Sequence, residues 1–143
     1  DWLLNVFVHA EVFRAVNHPF YIYLKYRTDS VTGKPDLSSI QGLLFTVDKW
    51  EKQMRQREFA SIREGVTAYL AYILATAFVT MSRMGRDDRA QAIRLVKPYF
   101  HLLRCGTDRK SKTVSRMLRL LGSRLTIQLC GAYYKNRMNA REQ

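Results

Sequence analysis

Few residues in this 143-residue chain have the type and spacing for chemistry, and the most suggestive lie near its start. Arg27, Ser30 and Thr32 fall at the end of a strand-like run and in the loop after it, where binding residues are held on a rigid scaffold. A guanidinium offers phosphate or saccharide oxygens a fixed fork of donors, and the two hydroxyls can add to it. The same residues also suit an ordinary turn, with Asp29 and Ser30 shaping the loop and Arg27 a surface cation. Asp1 precedes an apolar helical run, and by residue type alone it is an N-cap. His9, His18 and His101 lie far apart without Cys or carboxylate partners at ligand spacing, which argues against zinc. Cys105 and His101, four residues apart, make a formal nucleophile pair, but no third residue orients it and Pro98 disturbs the turn. Asp87-Asp88 sits between Arg86 and Arg89 and suits a helix cap better than a metal site. No Gly-rich phosphate loop occurs.

The elements that would position these residues are mostly helical. Residues 1–16 read as a helix capped by Asp1, stopped by Asn17, His18 and Pro19. Pro19 to Arg27 alternates and is rich in aromatic and β-branched residues, so it is expected to be a strand, followed by a turn-rich loop to Pro35. From Asp36 onward only helices are expected. Leu37, Ile40, Leu43, Leu44, Val47, Trp50 and Met54 mark one apolar face, capped by Asp36 or Ser38. A second helical run extends from about Phe59 to Met84. Its most apolar part, Val66 to Met81, is about 16 residues, short of the roughly 20 that cross a bilayer, and is expected to be the central helix of a soluble bundle. Gly85 ends it, Asp87 or Asp88 caps the next helix, Pro98 breaks or restarts that one, and Cys105-Gly106 is a stop. Lys112 to about Asn139 supplies one or two basic amphipathic helices interrupted near Gly122-Ser123. The fold class is therefore mainly α, a bundle of about five or six helices with one N-terminal strand.

Bulk composition narrows the possibilities. A 47% hydrophobic content spread along the chain excludes disorder and suffices for one core. A formal charge of +12 and a pI near 10.1 imply anionic surroundings: nucleic acid, phosphorylated small molecules or an anionic membrane. Cys105 and Cys130 are too few for a disulfide framework and read as free thiols in a reducing compartment.

The stretch Tyr21-Ile22-Tyr23-Leu24-Lys25-Tyr26-Arg27-Thr28-Asp29-Ser30-Val31-Thr32 resembles a segment of bacterial family 2 glycosyltransferases, in which an aromatic strand ending in Tyr-Arg is followed by Ser and then Thr or Ser. In that family an acidic motif precedes a helix of about this length, and Asp1-Trp2-Leu3-Leu4 corresponds to its tail. The resemblance covers residues 1 to about 32. It implies that residues 1–35 end a GT-A-type α/β catalytic domain, that the strand joins or flanks its mixed sheet, and that 36–143 are a helical C-terminal extension. It further implies transfer of a sugar, as in a hexosyltransferase, from a nucleotide donor to a saccharide or lipid-linked hydroxyl in polysaccharide biosynthesis. Asp1 would be the base, since a carboxylate at a helix N-terminus is held rigidly within reach of the acceptor proton. Arg27, Ser30 and Thr32 would contact substrate. A divalent metal, Mg or Mn, would be held by an upstream Asp-x-Asp motif, so the chain alone is expected to be inactive.

The last third is strongly basic. From Arg104 onward ten cations, among them Arg116, Arg119 and Arg124, face only Asp108 and Glu142. Val114, Met117, Leu118, Leu121 and Leu125 form an apolar stripe among them. Such helices lie on anionic membranes, which suits a cytoplasmic enzyme peripheral to the inner face of the bacterial membrane. The alternatives are a solvated basic face and a nucleic-acid-binding module; the latter lacks any recognisable reading motif. The first helix and lone strand, apart from their domain, are expected to self-associate. In the full-length enzyme, Asp1→Asn is expected to lower kcat by about 10²- to 10⁴-fold, with little change in donor KM; steady-state kinetics retaining full turnover would remove Asp1 as the base.

Overall fold

Asp36 begins the helical body by closing a capping box. Its carboxylate accepts the Ser39 amide at 3.0 Å and the Ser38 hydroxyl at 2.6 Å, while the Ser39 hydroxyl faces the Asp36 amide at 3.4 Å. These bonds, the Ser38 hydroxyl foremost, hold the Asp36 carboxyl below its ordinary pKa. Asp36 rather than Ser38 is thus the cap. The computed structural model describes residues 2–10, 12, 14 and 35–139. Among them are five α-helices and no strand: α1 (Trp2–His9), α2 (Leu37–Gln53), α3 (Arg63–Ser82), α4 (Arg86–Val96) and α5 (Arg109–Asn139). Short 3₁₀ turns occupy Arg57–Phe59 and Lys97–Cys105.

α3 lies at the centre, with α2, α4, α5 and the Lys97–Cys105 segment packed against it. Its buried residues, including Leu70, Ala71, Leu74, Ala75, Phe78 and Met81, form a face wider than one neighbouring helix covers, while Glu64 and Tyr72 stay exposed. At 20 residues it exceeds the expected 16-residue apolar stretch and is long and apolar enough to cross a membrane by length and composition; its central place rests on packing. Thr67, Thr76 and Thr80 bond back to the carbonyls of Arg63, Tyr72 and Thr76 at 2.6, 3.0 and 3.1 Å, so their hydroxyls need no outside partner. α2 buries Ile40, Leu44, Val47 and Trp50 at the spacing expected. Phe78 meets Phe100 with ring centroids 5.7 Å apart, and Tyr99 donates to Asp48 at 3.1 Å, fastening the 3₁₀ segment to α3 and α2.

Three sequence expectations need correction. The helix expected over residues 1–16 ends at His9, and Ala10, Val12 and Arg14 are not helical. Leu4 enters the core while Val6 and Val12 stay exposed, so burial supports only the opening turns, and a short helix without packing does not propagate. The N-cap of α4 is Gly85, not Asp87 or Asp88; both aspartates sit in the first turn, where the helix dipole favours negative charge. Arg89 instead reaches back to the end of α3, donating to the carbonyls of Met81 at 3.1 Å and Met84 at 2.7 Å. Finally, the run expected from Phe59 is divided: Arg57–Phe59 is a 3₁₀ turn and α3 starts at Arg63. The strand expected at 19–27 and the loop after it lie outside the described residues.

Two glycines are fixed by geometry. Gly122 has φ 73° and ψ 174°, a region that essentially only glycine occupies. A Cβ on Gly106 would fall 2.3 Å from Ser111 Cβ and 3.3 Å from Ala71 Cβ. Gly122→Ala and Gly106→Ala are each expected to cost about 1–3 kcal/mol. Gly42→Ala, inside α2 with open space at its Cβ, should stabilise by about 0.5–1 kcal/mol. Urea denaturation of the three variants checks the order.

Candidate functional site

α5 starts where Asp108 caps it. The carboxylate accepts the Ser111 amide at 3.0 Å and the Ser111 hydroxyl, and Ser111 is fully buried. This cap carries the helix three residues further toward the N-terminus than the expected Lys112. The break expected near Gly122-Ser123 is present, at Gly122. Lys110 reaches Thr76 of α3 at 2.8 Å and Gly131 packs on Ser82 six residues further along the same helix, although twenty-one residues of straight helix would separate Lys110 from Gly131 by about 31 Å. The chain therefore doubles back at Gly122, and α5 is a helical hairpin of two limbs. The Thr126 hydroxyl bonds to the Gly122 carbonyl at 2.7 Å, which stabilises the start of the second limb.

Each limb packs its own face. The first buries Ser111 and Val114, with Met117 and Leu118 partly covered; the second buries Thr126, Ile127 and Cys130. Of the expected stripe, Val114, Met117 and Leu118 turn inward, so it is not one continuous surface. Leu121 and Leu125 stay outside, because the reversal between them stops the second limb from continuing the first limb's core face. Leu120, 75% exposed, joins them at the hairpin tip, and Leu129 and Tyr133 follow along the second limb.

The cations singled out by sequence fall on this surface. Arg116 and Arg119 are exposed and share the first limb's outer face with Lys112, at helical spacing. Arg124 is exposed just beyond Gly122, so Arg119 and Arg124 bracket Leu120 and Leu121 in sequence, with Leu125 next to Arg124. Asp1, Arg27, Ser30 and Thr32 lie outside the described residues. His101 is not directed at Cys105: its Nδ1 lies 3.0 Å from the Pro98 carbonyl and its Nε2 3.4 Å from Glu51. The exposure of Leu120, Leu129 and Tyr133 was not anticipated; the glycine at 122 was its one signal.

Lys110, in the first turn of α5, donates to Thr76 Oγ1 at 2.8 Å and stands 4.8 Å from the centroid of the Tyr72 ring. Burial pulls its ammonium below the ordinary lysine pKa, against attraction from Asp108 and Cys130. Burial likewise raises the Cys130 thiol. Lys110 thus fastens the first limb to α3, and Cys130 fills the core beneath the second.

No protein-family model matches the chain, and no curated protein or solved structure matches it significantly.

For Asp108, burial raises the carboxyl's pKa, but the Ser111 hydroxyl and backbone amides outweigh it and hold the group below its ordinary 3.8. The stabilisation is therefore complete above the ordinary value and is lost as pH falls through the lowered one. Asp108→Ala is expected to cost about 1 kcal/mol at pH 7. Urea midpoints of mutant and parent should converge only once the pH falls below the ordinary carboxylate value.

Proposed function

We propose that this chain is the C-terminal part of a glycosyltransferase that moves a sugar from a nucleotide donor to a saccharide or lipid-linked hydroxyl, and that its α5 hairpin holds the enzyme against an anionic membrane at the cytoplasmic face. The catalytic part of this reading rests on the resemblance at Tyr21–Thr32, with Asp1 as base and Arg27, Ser30 and Thr32 at the substrate. A divalent cation belongs to the upstream half of such an enzyme.

The observation that carries the membrane part is the hairpin tip. Leu120, Leu121 and Leu125 are exposed together with Arg116, Arg119 and Arg124. A lipid surface answers both needs, since leucines leave water for the acyl boundary while guanidinium groups stay among anionic headgroups. Duplex nucleic acid would neutralise the arginines but leave the leucines against phosphate and water. The net charge of +12 adds long-range attraction to either.

Sedimentation with vesicles tests this directly. Binding to vesicles containing phosphatidylglycerol is expected, falling with salt and absent from purely phosphatidylcholine vesicles. Each of Arg116→Gln, Arg119→Gln and Arg124→Gln should weaken it roughly fivefold, corresponding to about 1 kcal/mol per cation. Leu121→Glu with Leu125→Glu should abolish it. Binding to duplex DNA that survives the leucine changes, with no vesicle binding, would transfer the surface to the nucleic-acid reading.

A further inference from the structure

The tip is not the only apolar surface that the hairpin leaves uncovered. In the second limb, Leu125, Leu129 and Tyr133 follow one another at four-residue steps and are 50%, 46% and 66% exposed. Helical geometry places them, with the exposed Ala132, within about 100° of one another, along a stripe about 12 Å long. Thr126, Ile127 and Cys130 turn a different side of the limb into the core. Arg124, Gln128 and Lys135, all exposed, line one edge of the stripe. Between Arg109 and Asn136 there is no Asp or Glu.

A narrow apolar stripe beside a row of cations needs a partner that offers hydrocarbon and negative charge along one line. A second copy lacks the charge. Stripe against stripe would set Arg124 and Lys135 of one limb near those of the other, with no carboxylate on either to offset them. An anionic bilayer supplies both, its acyl boundary to the leucines and its phosphates to the cations. Tyr133 suits the same boundary, with an apolar ring and a polar hydroxyl end. The stripe is also continuous with the hairpin tip, since Leu125 belongs to both.

We propose that the second limb of α5 lies along an anionic bilayer on Leu125, Leu129 and Tyr133, with Arg124 and Lys135 among the headgroups. The membrane contact is then a line along the helix rather than its tip alone. This orientation rests on the membrane reading of the hairpin.

The test is sedimentation of the chain with vesicles of phosphatidylglycerol and phosphatidylcholine in equal parts. Leu129→Gln and Tyr133→Gln, at exposed positions away from the tip, are each expected to weaken binding about tenfold, with circular dichroism unchanged. Phe45→Gln, which removes a 68% exposed ring from α2, should leave it unaltered. In a Leu129→Trp variant, the added indole emission is expected to move to the blue on these vesicles and to be quenched by lipids brominated in the acyl chain. Parent binding with both glutamine variants indifferent and the added indole unquenched would overturn this orientation and leave the tip as the membrane contact. An equal loss from Phe45→Gln would show general adsorption of exposed apolar groups and overturn it too. A dimer in sedimentation velocity that Leu129→Gln dissolves would assign the stripe to a second copy instead. Absence of binding by the parent would remove the membrane reading, and this orientation with it.

Discussion

The fold depends on covering α3. Burying a Leu, Ile, Phe or Met side chain is worth about 1.5–3 kcal/mol, and α3 presents Leu70, Ile73, Leu74, Phe78 and Met81 over a broad face, with Ala71 and Ala75 beside it. One partner helix covers one stripe, so α2, α4, the 3₁₀ segment and α5 must all converge. The small residues Ala71, Ala75 and Ala77 are completely buried, which lets neighbouring elements come close. With the threonine hydroxyls bonded inside the helix, few polar groups on α3 need to be satisfied by its neighbours.

That demand explains the hairpin. A straight helix the length of α5 would be about 45 Å long and would leave α3 behind. Reversal at Gly122 returns the second limb, where Cys130 is buried and Gly131 lies close to Ser82. The turn is made where the chain carries leucines on both sides, so they cannot all reach the core. The surface we assign to the membrane is thus a by-product of how the core is closed, with the arginines around it.

Much of this was legible locally. Asp36, the apolar face from Leu37 to Met54, and the stops at Gly85, Gly106 and Gly122 each declare themselves through a cap, a period or a breaker. What sequence could not supply was long-range. Periodicity marked Val114 to Leu125 as one stripe, but only the direction of the chain after Gly122 decides which of those residues are covered. Asp87 and Asp88 looked like caps because Gly85 offers no side chain to compete with them, yet the chain enters the helix there without one. Asp1 and the Arg27 loop owe their candidacy to family likeness alone, whereas the exposure of Arg116, Arg119 and Arg124 follows from the faces each limb buries.

Two corners of the bundle are closed by opposite kinds of charge. At one, the Arg89 guanidinium grips the carbonyl end of α3. At the other, the Asp108 carboxylate holds the entry to α5 and lets go once protonated. Acid therefore bears on the two corners unequally: the bonds from Arg89 to backbone carbonyls involve no carboxylate, whereas the cap of α5 goes with the charge of Asp108.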